Sequence, residues 1–260
     1  MQHQARKRFG QNFLTDDTVI GRIVDAISAQ PGQLVLEIGP GQAALTYPLA
    51  DSGAELHLLE IDRDLVARLN VLFATRENVT VHSTDALRTD FEEITGGRPF
   101  RLVGNLPYNI STPLLFHVLK WSELVTDMHF MLQQEVVKRM AAVPGGKAWG
   151  RLSLMCQYRC EVTPLFNVPP EAFSPSPKVQ SAIVRLTPHR EPPVHIANMD
   201  TFEQLVSQAF SQRRKTLRNS LRAMIDTTNM EAAGIDPGAR PETLGLTDFA
   251  NLSNKIDKNK

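Results

Sequence analysis

A chain of 260 residues, 42% hydrophobic and 22% charged, is long enough for one large α/β domain with a small appendage and apolar enough to bury a core. Its 28 basic and 28 acidic residues cancel, which excludes a polyanion binder that works through overall basic excess. No apolar stretch reaches roughly eighteen residues and no charged segment followed by an apolar run opens the chain, so a cytoplasmic protein with no membrane partner is expected.

In chain order, Arg6, Lys7 and Arg8 form a basic opening with no acid before Asp16. Gln11-Asn12-Phe13-Leu14 then leads into a helix starting at Thr15 or Asp16, with Val19, Ile20, Ile23, Val24 and Ile27 at helical spacing. Beyond Pro31-Gly32, strands are predicted near 34–38, 55–60, 79–82, 100–104 and 126–132. Helices are predicted near 43–51, 62–74, 112–120 and 134–142. This alternation predicts βαβ units around a mostly parallel sheet. The alternation of Leu152, Leu154, Cys156, Tyr158 and Cys160 predicts a strand over 152–162 with both cysteines on one face, paired antiparallel at the sheet edge with a strand over 179–187. No His or further Cys completes a metal set there, so free buried thiols and no metal are expected. After the proline-rich stretch 188–193 every pattern is helical. Asp200 with Glu203 suggests a capping box, a second helix is predicted over 213–225, and Thr247 or Asp248 suggests the cap of a last one. The expected domains are 1–188, including the basic segment 1–15, and a helical domain 189–260.

Four strand ends carry the chemistry. After the first strand, Glu37-Ile38-Gly39-Pro40-Gly41 makes a turn where missing Cβ atoms let a ligand approach the backbone, and Glu37 is placed to meet a cationic group. Glu60 closes the second strand, where a carboxylate accepts from ribose hydroxyls. Asp85 follows the third and could accept from an amine. Asn105-Leu106-Pro107-Tyr108 follows the fourth: two acceptors, the Asn105 side chain and the Leu106 carbonyl, for a flat exocyclic amine, a proline that fixes the bend, and a tyrosine to stack on a base. Each feature alone is an ordinary turn or solvated acid; together they mark the carboxyl edge of an open α/β sheet as a ligand crevice. The glycine turn by itself also suits a nicotinamide cofactor. Arg214, Arg218 and Arg222 recur every fourth residue beside Leu217, Leu221 and Ile225, and with Arg213 and Lys215 they form a candidate phosphate-contacting face.

The glycine turn, Glu60, Asp85 and Asn-Leu-Pro-Tyr in this order resemble a Rossmann-like class I S-adenosylmethionine-dependent methyltransferase. Gln11–Leu14, Asn105–Thr112, Phe173–Ser181 and Phe210–Leu221 are similar to the rRNA adenine N6,N6-dimethyltransferase family, most of all to its bacterial small-subunit (16S) type. The resemblance spans about residues 6 to 255. It implies an α/β methyltransferase sheet with an antiparallel edge pair and a small all-helical C-terminal domain, acting as a monomer on 16S rRNA within the small ribosomal subunit or its precursor. It implies S-adenosylmethionine contacts at Asn12, Leu14, Gly39, Gly41, Glu60, Asp85 and Asn105. Acceptors for the target amine would be Asn105 and Leu106, followed by Pro107, with Tyr108 and Phe173 sandwiching the base. Arg6, Lys7, Arg8, Lys178 and the 213–222 cations would meet RNA. The third glycine common in the family's turn is Ala43 here. Two other readings remain open: a large-subunit rRNA adenine methyltransferase of the macrolide-resistance type, and a non-catalytic ribosome assembly factor.

Overall fold

The computed structural model describes residues 12–106, 110–212 and 214–257. In chain order the first elements are β1 (Phe13–Leu14), α1 (Asp17–Ile27), β2 (Leu34–Ile38), α2 (Thr46–Asp51), β3 (Glu55–Glu60), α3 (Arg63–Leu72), β4 (Val79–Ser83) and α4 (Phe91–Thr95). Next come β5 (Phe100–Asn105), α5 (Ser111–Val118), β6 (Val125–Gln133), α6 (Gln134–Met140), α7 (Arg151–Arg159), β7 (Cys160–Val168), β8 (Phe173–Ser174) and β9 (Ser181–Pro188). The chain continues as α8 (Met199–Ser211), α9 (Leu217–Ser220), α10 (Thr227–Ala232) and α11 (Leu246–Asp257). By contacts it divides into two compact units, one running to Val137 and resuming over Thr163–Pro188, the other made of Lys138–Val162 and the chain from His189. The stretch 138–162, placed in the first domain by the sequence pattern, groups with the C-terminal helices.

The described residues form a seven-stranded sheet in the order β4-β3-β2-β5-β6-β9-β7. Strands β2 to β6 pair in parallel and β9 runs antiparallel to β6. All five residues of β2 are buried, as in a parallel strand covered on both faces. From β2 the chain builds outward to β3 and β4, then crosses back to β5, which makes the gap between β2 and β5 the switch point where such sheets bind ligands. Ile38 pairs with both Leu59 and Gly104, and Leu59 with His82. β2 and β5 come close there because Gly104 lacks a side chain: a Cβ on it would lie 2.6 Å from the Ile38 carbonyl oxygen.

Several local predictions need correction. Residues 151–159 form a helix, and the strand begins only at Cys160. Leu152 to Cys156 are all buried, so α7 has no polar face along that stretch to reveal its period. The Ser153 hydroxyl, which accepts from the Gly150 N–H (3.1 Å) and donates to the Arg139 carbonyl, sets its start. Both cysteines are buried free thiols, one in α7 and one opening β7. α2 starts at Thr46 rather than 43, because Ala43 has φ 71°, outside the right-handed helical region. α8 is capped by Asn198, whose side chain accepts from the Thr201 N–H, not by Asp200. The helix predicted over 213–225 is one turn, α9: Leu217 and Arg218 give their N–H groups to the Ala239 and Pro237 carbonyls instead of to a preceding turn. Leu217, Leu221 and Ile225 are nevertheless buried, so the apolar spacing marked the core while the backbone left the helix. In the same unit the Trp149 indole donates to the Leu244 carbonyl at 2.9 Å, and Tyr158 packs on Phe202.

Replacing Gly104 by Ala should lower stability by about 1–3 kcal/mol, because β2 and β5 must separate to admit the methyl group. Chemical denaturation of the purified variant would measure this, and an unchanged midpoint would show that the strands yield freely.

Candidate active site

The strand ends predicted to carry function lie along one edge. One step beyond the Ile38 row, Glu60 pairs with Ser83 and Asn105 with Met131. The loops leave as extensions of the ladders: Gly39 N–H donates to the Leu59 carbonyl (2.9 Å), Thr84 N–H to that of Glu60 (3.0 Å) and Leu106 N–H to that of Met131 (3.2 Å). Gly39 and Gly41 have φ of 66° and 56°, left-handed values that favour glycine. A Cβ on Gly39 would lie 3.9 Å from the Asn105 carbonyl oxygen, so the turn and the Asn105 backbone are near neighbours.

Glu60 organises this edge. Its Oε1 accepts from the N–H groups of Ile61 and Asp62, both at 2.9 Å, and its Oε2 lies 3.4 Å from the Gly41 N–H. Burial pushes its pKa up, against the backbone donors that favour the charged form. Asp85 is half-buried. Its Oδ1 accepts from Leu87 N–H (3.0 Å), holding the turn, while Oδ2 stands 4.0 Å from Arg88 Nε. His117 supports the same loop through the Thr89 carbonyl (2.9 Å), a structural role. Glu37 is buried, and its Oε2 accepts from the Thr46 hydroxyl at 2.8 Å at the start of α2. Loss of hydration there, with Glu60 nearby, pushes its pKa from 4.5 to about 7.

Asn105 donates through Nδ2 to the Asn12 carbonyl at 3.0 Å, which leaves its side-chain oxygen as the acceptor. The Leu106 side chain is fully buried. Pro107 and Tyr108 lie outside the described residues. Phe173 is buried in the core cluster with Leu14, its partner in the β1–β8 pair, so its ring is part of the core. Phe13, which the sequence pattern did not single out, is also buried, and its ring lies 3.1 Å from where a Cβ on Gly41 would be. An aromatic between a basic opening and a helix cap was the available signal.

In the other unit, Arg214, Lys215 and Arg222 are exposed and line a cavity of about 620 Å³ together with Gln208, Gln212 and Asn219. Arg218 is exposed but is not among its lining residues, and because α9 spans only Leu217–Ser220, Arg214 and Arg222 lie outside it and the three share no helical face. Lys178 is exposed in the bend between β8 and β9. Arg6, Lys7, Arg8 and Arg213 lie outside the described residues.

The sequence pattern described as "Ribosomal RNA adenine dimethylase" matches residues 2–258. The chain belongs to that family. A Pseudomonas aeruginosa protein named Ribosomal RNA small subunit methyltransferase A is 55% identical over 256 residues, covering 98% of this chain and 96% of its own length. The protein of that name from Chromohalobacter salexigens is 54% identical over 260 residues, covering 98% and 92%. Among solved structures, a dimethyladenosine transferase from Plasmodium falciparum superposes with TM-score 0.78 at 26% identity, covering 95% of this chain and 98% of its own. The 23S rRNA methyltransferase ErmE superposes with TM-score 0.74 at 28% identity, covering 95% and 100%. This dimethylase is therefore an α/β methyltransferase, and the nicotinamide dehydrogenase reading falls.

Family and fold imply S-adenosylmethionine, and the residues present fit it. The edge offers Cβ-free backbone at Gly39 and Gly41 and carboxylates at Glu60 and Asp85, which suit a ligand bearing positive charge, hydroxyls and an amine better than one bearing a pyrophosphate.

Glu37 generates a pH prediction. Between about 4.5 and 7 the folded protein holds a proton on Glu37 that the unfolded chain has released, so stability falls as pH rises through that window. The raised value corresponds to at most about 3 kcal/mol. Glu37→Gln keeps an acceptor for Thr46 and should flatten this part of the profile; urea unfolding of both proteins from pH 5 to 8 measures it.

Proposed function

We propose that this dimethylase transfers methyl groups to N6 of two adjacent adenosines in a hairpin loop near the 3′ end of 16S rRNA, producing N6,N6-dimethyladenosine during small-subunit biogenesis. The observation that carries the reading is the Asn105 amide: its NH2 is committed to the Asn12 carbonyl, so its oxygen is left to accept from an amine. An adenine amine is a poor nucleophile because its lone pair is delocalised into the ring. Hydrogen bonds from it to the Asn105 oxygen and the Leu106 carbonyl pyramidalise the nitrogen and turn the lone pair out of the plane. Tyr108 stacks on the base, which must leave its helix to reach the site. Phe173 serves as the second wall once its ring is uncovered.

S-adenosylmethionine, when bound, supplies a methyl group on a sulfonium and leaves as S-adenosylhomocysteine. Asn12, Leu14, Gly39 and Gly41 hold its amino-acid part, Glu60 its ribose and Asp85 its adenine. No strong base is needed, because the amine acidifies as it forms its new bond and its proton passes to water. The protein's contribution is alignment and electrostatics. Arg6, Lys7, Arg8, Lys178, Arg213, Arg214, Lys215, Arg218 and Arg222 meet RNA phosphates, and the helical part from residue 189 acts as an RNA-binding domain. The small-subunit substrate is favoured over a large-subunit one because the relatives at 54–55% identity carry the small-subunit name, whereas the large-subunit enzyme is 28% identical.

The deciding assay is labelled methyl transfer to small-subunit particles isolated from cells lacking the modification, followed by nucleoside analysis. Dimethyladenosine in 16S rRNA is expected; no label in these particles but label in 23S rRNA of large subunits assayed in parallel, or binding without transfer to either, would favour one of the two other readings. Asn105→Ala should lower kcat about 100-fold, the scale seen when one preorganised hydrogen-bonding group is removed. Tyr108→Ala should reduce methylation while leaving cofactor affinity nearly intact. Replacing Arg214 and Arg222 together by Ala should weaken RNA binding and lower its salt slope by about 1 per lost phosphate contact, measured by titration at several salt concentrations.

A further inference from the structure

The amide of Asn105 has two orientations related by a half-turn, and only one presents its oxygen to an amine. Three contacts of one short segment bear on which is chosen. The carbonyl of Asn12 accepts from Asn105 Nδ2 at 3.0 Å. Phe13 and Leu14 pair antiparallel with Ser174 and Phe173, and Thr15 gives both its N–H (2.9 Å) and its hydroxyl (3.3 Å) to the Ala172 carbonyl. The ring of Phe13 sits against the glycine turn, 3.1 Å from the point where a Gly41 Cβ would stand, and the Gly41 N–H faces Glu60 at 3.4 Å. The segment is therefore held from two sides, by the β8 backbone and by the turn, and its Asn12 carbonyl meets the amide.

We infer that Phe13 is a positioning residue for methyl transfer: by seating residues 12–15 on the glycine turn, its ring keeps the Asn12 carbonyl where it orients the Asn105 amide to accept from the target amine. This rests on the proposed function for its consequence, but not for its geometry. Gly41 is required for a second reason beyond its positive φ, since any side chain there would lift the ring. The same device ties the glycine turn to Phe173, because Leu14 and Phe173 pair across β1 and β8. A disturbance at the turn is thereby passed both to the amine acceptor and to Phe173.

The test uses the full chain. In 15N–1H spectra of the ligand-free protein, the Asn105 side-chain NH2 pair is identified by its loss in Asn105→Asp. It should show one proton shifted downfield by the bond to Asn12, and in Phe13→Leu and Phe13→Ala it should move to the position of solvated amides. The same variants should lose about tenfold or more in kcat while the KM for small-subunit particles changes less than about twofold, as a misaligned acceptor predicts. Phe13→Leu, the milder change, decides the matter if Phe13→Ala does not fold. An Asn105 signal unmoved in a folded Phe13 variant, or an unchanged kcat beside weaker cofactor binding, overturns the inference. If the unaltered protein transfers no methyl groups to the particles while the Asn105 signal still depends on Phe13, the functional proposal fails and the positioning role stands.

Discussion

The parallel ladder sets where Glu60, Gly39 and Asn105 can stand. Ile38 is flanked by Leu59 on β3 and Gly104 on β5, so the residue following each of the three lies one step further toward the carboxyl edge. Register in a sheet is unforgiving, since a slip of one residue sends every side chain to the opposite face. Any such slip would remove Glu60 from the Gly41 N–H or Asn105 from the Asn12 carbonyl. Gly104 belongs to the same constraint, because the backbones of β2 and β5 meet where it has no side chain.

Within that frame the acids divide by environment rather than by residue type. Glu37 and Glu60 lie on neighbouring parallel strands, yet one accepts from the Thr46 hydroxyl and the other from backbone N–H groups. Burial pushes the Glu37 carboxyl up to about 7, against the Thr46 hydroxyl that favours its charged form. Glu60 keeps three backbone donors at the strand end, the N–H groups of Gly41, Ile61 and Asp62. Ala43 takes a left-handed φ of 71°, and the residue is fully buried in the core cluster.

Much of this was legible from local pattern. Strands β2 to β6 appear within a residue or two of their predicted limits, because apolar runs bounded by turns and alternating with helical periods have few other readings. The motif residues Gly39, Gly41, Glu60, Asp85 and Asn105 fall at the predicted edge for the same reason. α7 was not legible: a helix with five consecutive buried residues, Leu152 to Cys156, shows no amphipathic period there, and five alternating apolar residues imitate a strand. The arginine spacing misled in the opposite way, because a regular interval of four persists in a sequence whether or not the backbone stays helical.

The amino-acid sequence by itself determined the βαβ order, the residues at each strand end and the family, since these depend on composition and spacing along the chain. Only the tertiary structure decided which way those residues face. α9 begins only at Leu217, where the N–H groups of Leu217 and Arg218 go to the Ala239 and Pro237 carbonyls. Asn105 was oriented by a carbonyl 93 positions away in the sequence. Both outcomes rest on hydrogen bonds between residues well separated in the chain, and no local periodicity encodes such a partner.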